Sequence, residues 1–287
     1  MRGFEKIARE YDRGRRGEAV GFWAEETARL AHLYGGSLVL DLGCGTGIYA
    51  LGIVRGTSVS MCGLDPTADM LAQARAKSNA VSWLNAVGER IPIRSGVLDC
   101  IFSSQVWHHI ADREGTAEEC LRALRPGGAL VIRTISHEQL RRKAVFTYFP
   151  EILPHQLEVY PSMEDFDRYF GDAGFASIEH LSYALERYQL PSELIEVAER
   201  GLSSMFRPIT PEDLERGVSE LRRYEAEHPE RPIRNDETIT LVVACKHKET
   251  MSICRYGRPQ LPAIPGRAAP VEAVGRDGID QGMIRGS

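Results

Sequence analysis

The chain is 287 residues long, 43% apolar and 26% charged, with a formal net charge of -5. That length holds one large domain, or a domain with an inserted subdomain, and the composition is that of a folded soluble protein. A net acidic chain matches nucleic-acid phosphates poorly, and there is neither an apolar signal region nor a run of about 18 apolar residues for a membrane span, so the expected setting is the cytoplasm.

Residues 4 to 33 are expected to be helical, with Phe22, Leu30 and Leu33 on one face and Ala19 and Trp23 sharing it. Short apolar strands are expected at 37–42, 58–64, 81–84, 97–103 and 129–134. Helices fill the gaps at 67–76 and 115–124, the second stopped by Arg125-Pro126-Gly127-Gly128. Strands with few polar interruptions, alternating with helices, imply a parallel sheet covered on both faces.

The second half changes character. Phe146, Tyr148, Phe149, Tyr160, Phe166, Tyr169 and Phe170 crowd residues 137–170. Ser162 followed by Asp165 is a helix start. A strand at 176–183 precedes helices at 191–203 and 211–227. The last helix has Thr210 as its cap, Pro211 in its first turn and a buried face of Leu214, Val218, Leu221 and Tyr224. A final strand is expected at 238–244. Residues 250–287 are rich in proline and glycine without periodicity and read as a disordered tail. The six cysteines (Cys44, Cys62, Cys100, Cys120, Cys245 and Cys254) have no CxxC spacing. They read as reduced core residues, and no metal is expected.

The most informative segment runs from Val39 to Ala50: a strand, a loop with Gly43, Gly45 and Gly47 at alternate positions, then a helix. Gly43 and Gly45 let backbone approach a ligand, and the crevice beyond the strand ends is where such sheets bind one. Ile48 stands where a dinucleotide fingerprint wants its last glycine, and no Walker lysine is present. Asp65 closes the second strand. It can accept both ribose hydroxyls of an adenosine-containing ligand, or cap the helix starting at Pro66 or Thr67.

These segments, FEKIAREYD, VLDLGCGTG, GLDPTADML, GERIPI, LDCIFSSQVWHHI and LRPGGALVIRT, together resemble the class I S-adenosylmethionine (SAM)-dependent methyltransferases. The similarity is to the small-molecule group that includes ubiquinone and menaquinone biosynthesis enzymes, over about residues 4 to 246. It implies a doubly wound, Rossmann-like α/β fold with a seven-stranded, mostly parallel sheet whose final strand is antiparallel. The methyltransferase domain would span 1–249, with helical cap insertions at about 137–170 and 185–235. By position, Asp41, Gly43 and Gly45 would face the methionyl part of SAM, and Asp65 the ribose. Pro66 and Met70 would border the adenine, Gly88 and Glu89 its edge. Tyr11 would close over the methionyl carboxylate, and Ser104 and Gln105 would pass the methionyl arm. The aspartate that many relatives carry in the adenine loop is replaced by Val87, so a backbone carbonyl is left to receive the adenine amino group.

SAM brings an activated methyl, so the protein needs to align an acceptor and exclude water. His108 and His109 are the candidate bases, although one of them can equally pack against a loop. Arg133 would hold an acidic group of the substrate or pair with a nearby acid. Phe146, Tyr148, Phe149 and Tyr160 would line an apolar or aromatic acceptor site, or form the core of the added helices. The expected partner is a small-molecule acceptor, with no nucleic acid or membrane, for a monomer or homodimer. Methylation of RNA or protein, or SAM binding without methylation, are the alternatives.

Overall fold

The computed structural model describes residue 12, residues 19–235 and residues 237–246. Tyr11, most of the expected first helix before Ala19, and the tail at 250–287 lie outside the described residues.

A seven-stranded sheet forms the centre, in the order β3-β2-β1-β4-β5-β9-β6. Its strands are β1 (Leu38–Leu42), β2 (Ser60–Leu64), β3 (Val81–Leu84), β4 (Leu98–Ser104), β5 (Leu124–Thr134), β6 (Ser177–Leu185) and β9 (Glu237–Cys245). A separate two-stranded pair joins β7 (Tyr188–Gln189) to β8 (Ile233–Arg234). Only β9 in the large sheet runs antiparallel to its neighbours, β5 and β6. The helices between strands are α1 (Val20–Leu30), α2 (Ile48–Gly56), α3 (Ala68–Lys77) and α4 (Arg113–Ala123), followed by α5 (His137–Arg141), α6 (Val145–Tyr148), α7 (Ile152–Val159) and α8 (Met163–Ala173), then α9 (Pro191–Glu199) and α10 (Pro211–Glu227).

The alternation of strand side chains decides the layers. Val39, Phe102 and Val131 point to one face and join Trp23 of α1, Ile53 of α2 and helices α6, α9 and α10. Leu40, Leu42, Ile101 and Leu130 point to the other and join α4 and α8. Both faces are dry, which is why these strands carry few polar residues. Chain order reverses at β1, whose neighbours are β2 on one side and β4 on the other. That reversal opens a crevice at the strand ends.

Local signals explain the boundaries. The Ser162 side chain accepts from the Asp165 amide and Asp165 reciprocates, so α8 starts with a capping box. Thr210 likewise accepts from Asp213 N at α10. Several boundaries differ from expectation. Helix α4 ends at Ala123, and Arg125-Pro126-Gly127-Gly128 belongs to β5, taken up by a register shift opposite Leu98 and Cys100. Helix α9 stops at Glu199 because Gly201 turns left-handed, with φ of 58°, and a single 3₁₀ turn follows at Ser204–Phe206. On α1 Trp23 is fully buried, whereas Phe22 is half-buried. Trp23, Phe22 and Tyr183 of β6 pack edge to face. Cys44, Cys62, Cys100, Cys120 and Cys245 are free thiols, and Cys254 is outside the described residues.

Candidate functional site

The loop after β1 is shaped by three left-handed glycines, Gly43, Gly45 and Gly47, with φ of 74°, 52° and 80°. Gly43 has no room for a side chain: a Cβ there would lie 2.4 Å from a Val106 methyl. At Gly47 the obstruction is the Trp83 ring of β3, 2.5 Å from where a Cβ would stand. Trp83 therefore packs the loop and the start of α2 onto the sheet.

Two buried carboxylates hold this corner. Asp41 accepts a hydrogen bond from Ala50 N, 3.1 Å away, and so caps the first turn of α2. Burial pushes its carboxyl up to about 7, reinforced by the charge of Asp65 and opposed by the Ala50 amide. Asp65 accepts from Gly45 N at 2.9 Å and from Thr67 N at 2.8 Å. Burial raises its pKa too, against those two backbone donors. The capping reading of Asp65 is thus realised in the structure. The Thr67 hydroxyl also bonds to this carboxylate and helps to hold it charged.

A cleft of about 470 Å³ opens at the ends of β1, β2 and β4. Five of the expected residues line it: Gly43, Pro66, Gly88, Glu89 and His109. Val87, Val106, Ile110, Thr67 and Asp69 line it as well, and none of these carried a binding role in the sequence reading. The Gly88 loop is buttressed from below by α4. A Cβ on Gly88 would stand 3.0 Å from the Thr116 methyl, while Glu119 accepts from Ile91 N and Arg122 donates to the carbonyls of Ile91 and Ile93. Val87 is exposed at the cleft. Its side chain offers no acceptor to a base, as its residue type implies.

The other expected residues stand outside that lining. Asp41, Asp65 and Met70 are buried beneath it, and Gly45 turns its amide to Asp65. Ser104 ends β4 and Gln105 follows it, left-handed at φ 56°, with its backbone N–H donating to Arg133 O. Arg133 is buried at the end of β5, its guanidinium over the rings of Trp23 and Tyr49 at 5.0 and 5.5 Å, with Ser104 Oγ at 3.4 Å. The two histidines lie side by side in a short 3₁₀ turn at Trp107–His109, ring centroids 3.9 Å apart. His109 lines the cleft, whereas His108 stacks on Tyr160, ring centroids 4.0 Å apart and planes within 15°. The Tyr160 hydroxyl lies 3.2 Å from Gln105 Oε1, and His137 Nε2 meets the Tyr160 carbonyl at 2.8 Å.

The remaining aromatics are core. Phe149 is fully buried, edge-on to Phe206, and its ring fills the space that a side chain at Gly217 would need. Phe146 is buried in the same cluster, and Tyr148 packs against it half-buried. The reading of Phe146 and Phe149 as core of the added helices is the one the packing realises. Among the described residues no cluster of three or more His, Cys, Asp or Glu side chains could hold a metal, and no helix is long and apolar enough to cross a membrane.

Known proteins resemble this part of the chain. Residues 40–132 match the family described as "Methyltransferase domain". A Mycolicibacterium smegmatis protein assigned as an S-adenosylmethionine-dependent methyltransferase is 32% identical over 106 residues, which cover 37% of this chain and only 41% of that protein. The demethylmenaquinone methyltransferase of Lactiplantibacillus plantarum is 29% identical over 58% of this chain and 79% of its own length. A crystal structure from Anabaena variabilis, assigned to methyl transfer in an antibiotic biosynthesis pathway, superposes with a TM-score of 0.62 at 18% identity, covering 77% of this chain and 95% of that one. The matched segment runs from β1 to β5, so it contains the glycine loop, Asp65, the Gly88 turn and both histidines.

Proposed function

We propose that this SAM-dependent methyltransferase methylates a small acceptor, apolar or aromatic in part, and releases S-adenosylhomocysteine. The observation that carries the reading is the contact between Tyr160 and the turn after β4. Tyr160 follows α7 in the inserted helices, yet it stacks on His108 and reaches Gln105. In this reading the insertion at 137–170, together with that at 185–235, covers the strand ends where the methyl would be presented, and Tyr160 is where the first of them reaches the turn after β4. A capped site suits a small molecule better than a polymer, which needs an open groove. The name of the Lactiplantibacillus relative supports the same class.

SAM supplies a methyl already activated by its sulfonium. In this reading Gly43, Gly45 and Asp65 hold the cofactor's centre, with Asp41 beneath them. Pro66, Met70, Gly88 and Glu89 flank the base, while Tyr11, Ser104 and Gln105 serve the methionyl end. His108 and His109, whose ring centroids are 3.9 Å apart, are the candidates to take a proton from a hydroxyl or carbon acceptor. His108 and Tyr160 orient the acceptor, Arg133 supports Ser104 from beneath, and Tyr148, Phe146 and Phe149 pack the inserted helices. The test is incubation with methyl-labelled SAM and an extract of the host, followed by mass identification of the product. Label in a small-molecule metabolite is expected. Label found only in RNA or protein, or no transfer at all, would overturn the small-molecule reading.

A further inference from the structure

The aspartate of the FEKIAREYD segment has no role in the chemistry above, yet Asp12 is tightly engaged. Its Oδ1 accepts from Thr46 Oγ1 at 2.5 Å. Its other oxygen, Oδ2, pairs with Lys77 Nζ, also at 2.5 Å. Lys77 Nζ closes the triangle by donating to the Thr46 carbonyl at 2.8 Å. Three distant segments therefore meet on one residue: the N-terminal segment, the glycine loop and the last turn of α3.

We infer that Asp12 and Lys77 are positioning residues for the SAM site, clasping Thr46 so that the glycine loop keeps its ligand-ready shape. This rests on the reading that the loop holds SAM. Thr46 is 2% exposed and sits between two left-handed glycines, Gly45 and Gly47. Glycine is the residue that loses most backbone freedom when fixed, so a loop built from alternating glycines needs outside anchors. Four of its amides are anchored: Gly43 N and Cys44 N donate to Leu64 O, Gly45 N to Asp65, and Gly47 N to Cys44 O. The group left between them is Thr46, and both its hydroxyl and its carbonyl are taken by the clasp. Lys77 and Asp12 are 30% and 41% exposed, so the charge attraction is screened. The geometry of the bonds at buried Thr46 carries the effect.

The test is calorimetric titration of SAM into the full chain and into Asp12→Ala, Lys77→Met and the double variant, with ligand-free melting curves alongside. Each single variant is expected to raise the Kd about 10-fold, as for loss of a hydrogen bond to a charged group. The double variant should be no weaker than the worse single one, because both remove one clasp. With SAM saturating, kcat should stay within about twofold, since only a ground-state anchor is lost. Thr46→Val supplies an independent variant that keeps the Lys77 bond to the carbonyl, and its Kd should rise less. If melting temperatures fall while the Kd stays that of the wild type, Asp12 is merely a structural tether and the inference fails. Additive effects of the two single changes would also overturn it. A wild-type chain that does not take up SAM would instead overturn the reading of the site, and this inference with it.

Discussion

The corner around β1 and β2 and the helices α5 to α10 are built by different means. In the corner, carboxylate side chains bond to backbone amides. Asp41 holds Ala50 N, and Asp65 holds Thr67 N and, across β2, Gly45 N. In the inserted helices the defining contacts are between apolar side chains from distant segments, such as Phe149 with Phe206 and with Gly217. The first construction fixes backbone, because the donors of Gly45, Ala50 and Thr67 are held by carboxylates. The second fixes only a volume.

Emptying the cap core would test that division most severely. Phe149→Ala removes a fully buried ring and should cost about 3–5 kcal/mol in chemical denaturation. At temperatures where the variant stays folded, its SAM affinity should match the wild type, because Phe149 does not line the cleft. A parallel loss of SAM affinity would mean that the two regions are not separable.

The converse change is Gly43→Ala. It places a Cβ within 2.4 Å of Val106 at a φ of 74°. Left-handed strain alone costs about 1–2 kcal/mol, and the clash adds to it. SAM titration should show a loss of tenfold or more, while helix α9 and α10 content by circular dichroism stays intact. Normal SAM affinity would show that the loop does not approach the ligand at Gly43.

The pH dependence of stability sharpens the corner further. Asp41 is held up to about 7 by burial, whereas an unfolded aspartate titrates near about 3.9. Between those values the folded chain keeps a proton that the unfolded chain has released. This contribution is full below about pH 4, declines as pH rises and is gone near pH 7, with a slope of at most about 1.4 kcal/mol per pH unit. Asp41→Asn keeps an acceptor for Ala50 N and removes the titration. Its melting temperature should gain on the wild type from pH 5 to pH 7 and hold the gain above. Parallel curves would contradict the burial of a protonated Asp41.

The smallest effect is expected at the seam between the regions. Tyr160→Phe keeps the stack on His108 and loses one bond to Gln105, worth about 1 kcal/mol. The Michaelis constant for the acceptor should rise a few-fold with that for SAM unchanged. A change confined to SAM would move Tyr160 from the acceptor side to the cofactor side.

What was legible in the sequence follows the same division. Strands β1 and β3, the caps of α8 and α10, and the glycine loop are written in short-range patterns, and they stand where the residues indicated. The misplaced start of β5 has a physical cause, since proline and glycines that usually break structure are absorbed by a register shift. The pair β7 and β8 is two residues long on each side, too short for periodicity. His108 and His109 are adjacent in a 3₁₀ turn, so nothing in their order told which faces the cleft. The split of the aromatics into core (Phe146, Phe149) and seam (Tyr160) depends on contacts with residues 105–108 and 206–217, beyond any local pattern. Asp12 could have been noticed as an acid in a motif that the resemblance had left without a task.

The central claim, that the β1–β2 corner holds SAM through Asp65, is tested most directly by titrating SAM into the wild type and Asp65→Ala in the same calorimeter. One site is expected in the wild type, with affinity reduced in the variant by about 10- to 100-fold, as for loss of a buried charged hydrogen-bond pair. Equal affinity in the two proteins would contradict it.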